Sequence, residues 1–245
     1  MSQHALQTWL QPDWPAPANV RACVTTRLGN ASHAPYQGFN LAGHVGDDPL
    51  QVARNRRYLG EQLGCRPAWL QQVHGTAVVR ADANDEPQAD GQWTDQPGLA
   101  AAVLTADCLP ALFCNRAGSR VAAAHAGWRG LVAGVLEETV AALGEPGQLL
   151  VWLGPAIGPS TFEVGPEVRE AFLACQAEAE AAFVPSANAG RWLADLYSLA
   201  RLRLQAAGVS AIHGGGFCTV SDERFYSYRK NGVTGRFASL VWLAE

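Results

Sequence analysis

Three short segments place nitrogen and sulfur donors beside turn residues: Gln72-Val73-His74-Gly75, Thr105-Ala106-Asp107-Cys108-Leu109-Pro110 and His125-Ala126-Gly127-Trp128-Arg129-Gly130. Two imidazoles and a thiolate suit a borderline-soft divalent ion such as zinc. Three protein ligands rather than four leave a position for water or substrate, the mark of a catalytic rather than a structural site. His74, Cys108 and His125 are therefore the candidate metal ligands and catalytic residues. Taken singly, each also has a plainer role: a histidine at a strand end is commonly a hydrogen-bonded structural residue, and a cysteine among apolar residues a small buried hydrophobe. Cys108 with either histidine would also serve as a thiol nucleophile with its base.

The ligands lie 34 and 17 positions apart, so they form no zinc knuckle, and tertiary structure must bring them together. The pattern predicts a sheet that does so, with the ligands at strand ends on one edge. Short apolar runs at 100–105 and 120–125 read as buried strands, as do 20–27, 69–74, 76–80 and 149–154. The first of these by position ends in a turn at Leu28-Gly29-Asn30. Helices are expected from Val52 to a stop at Gly64, from Leu131 through Val140, around Pro166 to Leu173, and from Asp195 to Gly208. The chain passes from the strand ending at His125 through Gly127 to Gly130 into a helix, whose first backbone donors could hold an anion. Residues 35–49 read as a long surface loop, a common place for function. Residues 225–229 and 236–243 suggest a terminal hairpin across the Gly-containing segment between them. Irregular interleaving of strands and helices predicts an α+β fold, a single layered α/β sandwich domain over 1–245 with mixed sheets flanked by helices.

Composition bounds the function. The 245 residues are 48% hydrophobic and 16% charged, which can bury a large core. A formal charge of −4 leaves no basic excess for a nucleic-acid backbone, so no nucleic-acid partner is expected. The first thirty residues lack the basic start and apolar core of a signal peptide, and no later stretch would span a bilayer, so a cytoplasmic protein without a membrane partner is predicted. Six scattered cysteines then read as reduced thiols. Oligomeric state is not encoded in any pattern visible here.

The three ligand segments, with Gly154-Pro155-Ala156-Ile157-Gly158-Pro159 and Phe225-Tyr226-Ser227-Tyr228-Arg229 in the same order, closely resemble the YfiH-like laccase-domain family, historically called multicopper polyphenol oxidases. The resemblance extends over essentially the whole chain. It implies a zinc-dependent purine nucleoside phosphorylase acting on adenosine, guanosine, inosine and methylthioadenosine, with adenosine deaminase activity. It also implies His74, Cys108 and His125 as the metal ligands. Its alternatives are a peptidoglycan-precursor editing amidase that hydrolyses a mis-charged UDP-MurNAc-amino acid, and copper-dependent polyphenol oxidase activity. A blue-copper centre joined to a trinuclear cluster needs many more histidines than the six of this chain. Copper could nonetheless enter the three-ligand site, because it outcompetes zinc for nitrogen and sulfur.

The expected partners are purine nucleosides and phosphate. Deamination would draw on a divalent ion's capacity to lower the pKa of water and so provide a nucleophile for C6 of adenine. Asp107 is the candidate acid/base, provided that a bend turns it toward Cys108; on an extended strand it would face the other way and act as a turn-capping carboxylate. Phosphorolysis needs positive charge beside phosphate, and Arg27, Arg56 and Arg129 are candidates because the resemblance spans their motifs. Asn40 is a candidate reader of a purine edge or a shaper of its loop, and His44 a candidate cleft residue. His4 and His33 are expected to face solvent. Cys218 reads as a buried structural thiol, and Trp128 and Phe225 as core. His213 receives no role.

Overall fold

The computed structural model describes residues 8–29 and 31–245; His4 and Asn30 fall outside them. The fold is α+β, with mixed sheets flanked by helices. A four-stranded sheet has the order β1 (Val20–Val24), β13 (Phe237–Leu243), β5 (Leu99–Thr105), β2 (Arg66–Ala68). A six-stranded sheet runs β12 (Ala211–Gly214), β8 (Leu149–Leu153), β6 (Leu109–Asn115), β7 (Val121–Ala126), β4 (Gly91–Thr94), β3 (Val78–Arg80). Three short strands, β9 (Glu163–Val164), β10 (Phe183–Pro185) and β11 (Trp192–Ala194), form a small separate sheet.

The continuous apolar runs of the central strands follow from this layering. Every residue of β5, β7 and β13 is buried, so alternation of apolar and polar residues has no place in them. Ala101 and Val103 of β5 meet Val121 and Ala123 of β7 in a core between the two sheets. The alternate residues point outward. Ala100, Ala102 and Leu104 pack with Leu59 of α1 (Pro49–Leu63), while Ala122, Ala124 and Ala126 pack beneath α2 (Trp128–Ala133) and α3 (Val135–Leu143). Helices α4 (Pro166–Cys175) and α5 (Leu196–Ala206) complete that outer layer. The many alanines let the layers approach closely.

Helix boundaries follow local chemistry. The Asp48 carboxylate caps α1 by accepting from Leu50 N, Pro49 takes the first position, and Gly64 ends it in a left-handed conformation. Asp195 caps α5 through Tyr197 N and Ser198 N. The helix expected as one run from Leu131 is broken in two at Gly134.

The terminal hairpin does not form. Its proposed second strand, β13, is paired on one edge with β1 and on the other with β5, leaving no edge for residues 225–229. That segment instead enters a short helix, α6 (Tyr228–Asn231), capped by the Ser227 hydroxyl. The strand expected at 69–74 does not form: β2 ends at Ala68, and His74 lies in the loop beyond it. Residues 35–49 are indeed a long connection, containing a single turn of 3-10 helix at Gly43–Val45. No helix among the described residues is long and apolar enough to cross a membrane.

Candidate metal centre and its cavity

Each of the three donors reaches the site from a different element. His125 sits near the end of β7, Cys108 in the tight connection from β5 to β6, and His74 in the loop between β2 and β3. Their ligand atoms all lie within 4.8 Å of one another. Cys108 Sγ is 3.7 Å from His74 Nε2, and the two imidazoles meet edge to face with centroids 4.7 Å apart. An ion with Zn–N and Zn–S bonds of tetrahedral zinc would separate its ligands by roughly 3.3–3.6 Å, so the donors present fit zinc with little adjustment. The expected convergence is met, but by loops as much as by strand ends.

Asp90, immediately before β4, holds this arrangement, and sequence reasoning missed it. Its fully buried carboxylate accepts the His125 Nδ1–H at 2.7 Å, the backbone N–H of His74 at 2.9 Å, that of Gly75 at 2.7 Å and that of Val73 at 3.1 Å. With Nδ1–H committed to Asp90, the Nε2 lone pair of His125 is the one free for an ion. Burial alone would raise the Asp90 carboxyl, but the His125 ring and these backbone donors hold it below its ordinary range.

His74 and Asp107 are both non-glycine residues with positive φ, 61° and 90°, a conformation that costs of order 1–3 kcal/mol and persists only where its surroundings impose it. For His74 the imposing group is Asp90, through three consecutive N–H bonds. For Asp107 it is a set of contacts from distant segments. Its Oδ1 accepts from the Thr219 hydroxyl at 2.6 Å, its Oδ2 from Arg229 N at 2.6 Å, and its carbonyl from Ile157 N at 2.8 Å. The Gly154–Pro159 segment thus braces the Cys108 turn, with Gly154 N also bonded to the Pro110 carbonyl at 2.8 Å. The backbone thus does bend at Asp107, with the carboxylate held by Thr219 and Arg229 N.

Gly127 shows how closely the backbone approaches the donors: a Cβ there would lie 2.9 Å from Cys108 Sγ and 2.9 Å from His74 Cδ2. Electrostatically the cluster is a thiolate facing imidazoles. Burial opposes ionisation of Cys108, yet His125 and His74 bring its thiol down to about 6. Burial likewise opposes charging of His125, but Asp90 and Cys108 raise it to about 9.

The cluster opens into a cavity of about 410 Å³, within the roughly 300–1,000 Å³ range of small-molecule sites. Asp107 and His44 line it, as do residues that sequence reasoning did not single out: Gln72, Thr105, Phe162, Tyr228 and Arg236. Arg229 of the Phe-Tyr-Ser-Tyr-Arg segment lines it too. The other expected substrate residues are placed elsewhere. Arg27 stacks on Tyr226 and lines a neighbouring cleft with Ser227 and Lys230. Arg56 lies over Trp69, donates to the Leu41 carbonyl and pairs with Glu86. Arg129 is exposed on α2, packed over Trp128.

Asn40 is buried with its amide fully engaged. It donates to the Ala42 carbonyl and Asp47, and accepts from Ala42 N and Arg236 N. It shapes the loop, and through Arg236 N it also fixes one wall of the cavity. Cys218 is only partly buried, 3.2 Å from the Thr161 hydroxyl. Its partial exposure corrects the expectation of a buried structural thiol; burial acts to raise this thiol, but hydrogen bonds from Thr161 and Ser221 bring it down to about 7. Phe225 is core between the two sheets, and Trp128 is partly buried against the separate core beneath the helices.

Residues 21–244 match the multi-copper polyphenol oxidoreductase laccase family. A purine nucleoside phosphorylase of Pseudomonas aeruginosa is 66% identical over 242 residues, covering 98% of this chain and 100% of that protein. The purine nucleoside phosphorylase YfiH of Escherichia coli is 52% identical over 95% of this chain and 97% of its own. Among solved structures, a Neisseria meningitidis protein superposes with a TM-score of 0.94 at 50% identity, over 97% of this chain and 100% of that one. YlmD of Geobacillus stearothermophilus does so with 0.90 at 32% identity, over 97% and 96%. With the motifs, the ligand cluster and the fold in agreement across the chain, the protein belongs to the YfiH-like laccase-domain family.

Proposed function

We propose that the protein is a zinc-dependent purine nucleoside phosphorylase that cleaves adenosine, guanosine, inosine and methylthioadenosine and also deaminates adenosine. The observation that carries this reading is the joining of the His74, Cys108 and His125 cluster with guanidinium groups and aromatic rings in one cavity. It does so in a chain whose relatives at 66% and 52% identity are named purine nucleoside phosphorylases. Tyr228, 58% exposed despite its size, and Phe162 offer ring faces on which a purine can stack.

In phosphorolysis a phosphate oxygen bonds to C1′ of the ribose as the bond from C1′ to the purine nitrogen breaks. The electron pair leaves on the purine, which takes up a proton, and the sugar product is ribose-1-phosphate. A bound zinc ion would supply Lewis-acid polarisation and a lowered pKa for water in the deamination. Asp107, held at the cavity wall as a hydrogen-bond acceptor, is the proton carrier in this reading. The Cys–His–His donor set suits zinc, and copper, which binds such donors more tightly, would occupy it in copper-exposed protein. Polyphenol oxidation would then belong to the copper-loaded form. The six free cysteines support a reducing, cytoplasmic location.

The test is incubation of protein of quantified zinc content with adenosine, with and without phosphate, followed by chromatography. Phosphate-dependent adenine with ribose-1-phosphate, together with phosphate-independent inosine, is the expected result. Neither product from stoichiometrically zinc-loaded protein would overturn the reading and leave amide hydrolysis of a peptidoglycan precursor to be assayed.

A further inference from the structure

Arg236 and Arg229 are the two guanidiniums of the cavity, and both are held by backbone carbonyls rather than by carboxylates. Arg236 uses one nitrogen, Nη1, for the Thr234 and Gly235 carbonyls at 2.9 and 3.0 Å. Arg229 Nη1 reaches the Thr161 and Glu163 carbonyls at 3.4 and 3.1 Å. Among the described residues neither guanidinium forms an ion pair, in contrast to Arg56, Arg80, Arg169, Arg203 and Arg224. A carbonyl fixes the orientation of a guanidinium without neutralising it, so both remain charged forks with Nε and Nη2 donors to spare.

A third residue of the same cavity carries an unpartnered polar atom. Thr105 is 1% exposed and lines the cavity, and its hydroxyl oxygen is buried with no hydrogen-bond partner. Such a group is costly unless something completes it. Thr105 is the register partner of Phe237, so Thr105 and Arg236 both lie at the same end of the β5/β13 ladder, and both line the cavity. His44 lies on the same wall, near enough to Arg236 for that charge to disfavour its imidazolium, after the larger effect of its own desolvation. The opposing charge in the cavity is Asp107, whose two oxygens are already engaged by Thr219 and Arg229 N.

We propose that Arg236, Arg229 and the Thr105 hydroxyl, with His44 beside them, form the subsite for a tetrahedral oxyanion, and that its occupant is free inorganic phosphate, the attacking co-substrate. This rests on the phosphorolysis reading and deepens it: the candidates that sequence motifs suggested, Arg27, Arg56 and Arg129, lie outside the cavity, whereas these groups share it with the ligand cluster. Two forks and a hydroxyl donor match the three or four oxygens of phosphate, and the fixed anchors mean little reorganisation on binding.

The deciding experiment compares wild type, Arg236→Gln, Arg229→Gln and Thr105→Val. As a charge control it includes Arg116→Gln, which lies at the far end of β6 from Cys108. Phosphate dependence of phosphorolysis is measured at saturating adenosine, and phosphate binding separately by calorimetry on zinc-loaded protein. Arg236→Gln should raise the KM and the Kd for phosphate at least 10-fold, with zinc content and the KM for adenosine changed less than 3-fold. Thr105→Val should raise the phosphate KM several-fold, and Arg116→Gln should change nothing. Should Arg236→Gln fail to fold, Arg229→Gln and Thr105→Val carry the same comparison. Phosphate constants within 2-fold of wild type in the folded variants overturn the assignment. If wild type shows no phosphorolysis, the functional reading fails, and calorimetry still decides the subsite: no phosphate binding overturns it. Adenosine 5′-monophosphate supplies the other arm, since a variant that weakens it but not inorganic phosphate would show that the groups read a phosphorylated substrate instead.

Discussion

The Asp90 carboxylate and the His125 imidazole are bonded at 2.7 Å, with both side chains almost wholly buried. The same carboxylate also receives the N–H groups of Val73, His74 and Gly75. One residue therefore fixes the tautomer of one histidine and the backbone of the other. Replacing it with asparagine keeps the size but puts an amide where only an acceptor fits. Asp90→Asn should weaken zinc binding by about 10–100-fold, measured by competition with a chelator. It should also lower stability by about 1–3 kcal/mol through unpaired buried donors, measured by denaturant titration. Unchanged zinc affinity would remove Asp90 from the centre's support.

The thiols are expected to separate by pH. Cys108 is brought down to about 6 and Cys218 to about 7, whereas burial pushes Cys23, Cys65 and Cys114 up to about 12. A depressed thiol pKa means that the thiolate is present above that value and is lost as the pH falls through it. In zinc-stripped protein, alkylation by iodoacetamide at Cys108 should therefore rise with a midpoint near pH 6 and at Cys218 near pH 7, read site by site by mass spectrometry. Zinc should protect Cys108 and leave Cys218 reactive. A Cys108 midpoint near the ordinary thiol value of 9 would contradict the histidine contacts.

Gly127 has an ordinary negative φ, so an alanine there is not strained by its backbone. What it meets is the site, since its Cβ would lie 2.9 Å from Cys108 Sγ and from His74 Cδ2. Gly127→Ala should therefore cost about 1–3 kcal/mol as local overpacking and show itself mainly as lost zinc affinity and activity. Full zinc occupancy with wild-type turnover would show that the donors can retreat without consequence.

The candidate ligands were legible in the sequence because each stands in a compact motif beside an apolar strand or a glycine turn. Asp90 was not: Ala89-Asp90-Gly91 has no periodicity and resembles a surface turn, and only tertiary structure turns its carboxylate inward. Arg236 was hidden similarly, since its importance comes from Asn40 and from the register of β13 with β5. The outer strands and helices followed from local patterns, but β6 carries Pro110, which reads as an interruption. Pro110 nonetheless sits in the ladder opposite His125, and its carbonyl accepts from Gly154 N. The false hairpin at 225–243 arose because pattern shows that a strand exists, not that both of its edges are already taken.

Asp107 is the residue whose role geometry and chemistry describe differently. Its left-handed backbone and its bonds to Thr219, Arg229 N and Ile157 N make it a structural clasp for the Cys108 turn. Its place on the cavity wall makes it the candidate proton carrier. Asparagine separates the two roles, because it tolerates the left-handed conformation and can keep both bonds, its Oδ1 accepting from Arg229 N and its amide donating to the Thr219 hydroxyl, but cannot carry a proton. If Asp107 transfers protons, Asp107→Asn should retain zinc and fold while kcat for deamination falls by about 10²–10⁴-fold. If it is only a clasp, kcat should stay within a few-fold of wild type. Asp107→Gly provides the converse: it relieves the φ of 90° but releases the turn, so zinc affinity should fall together with activity.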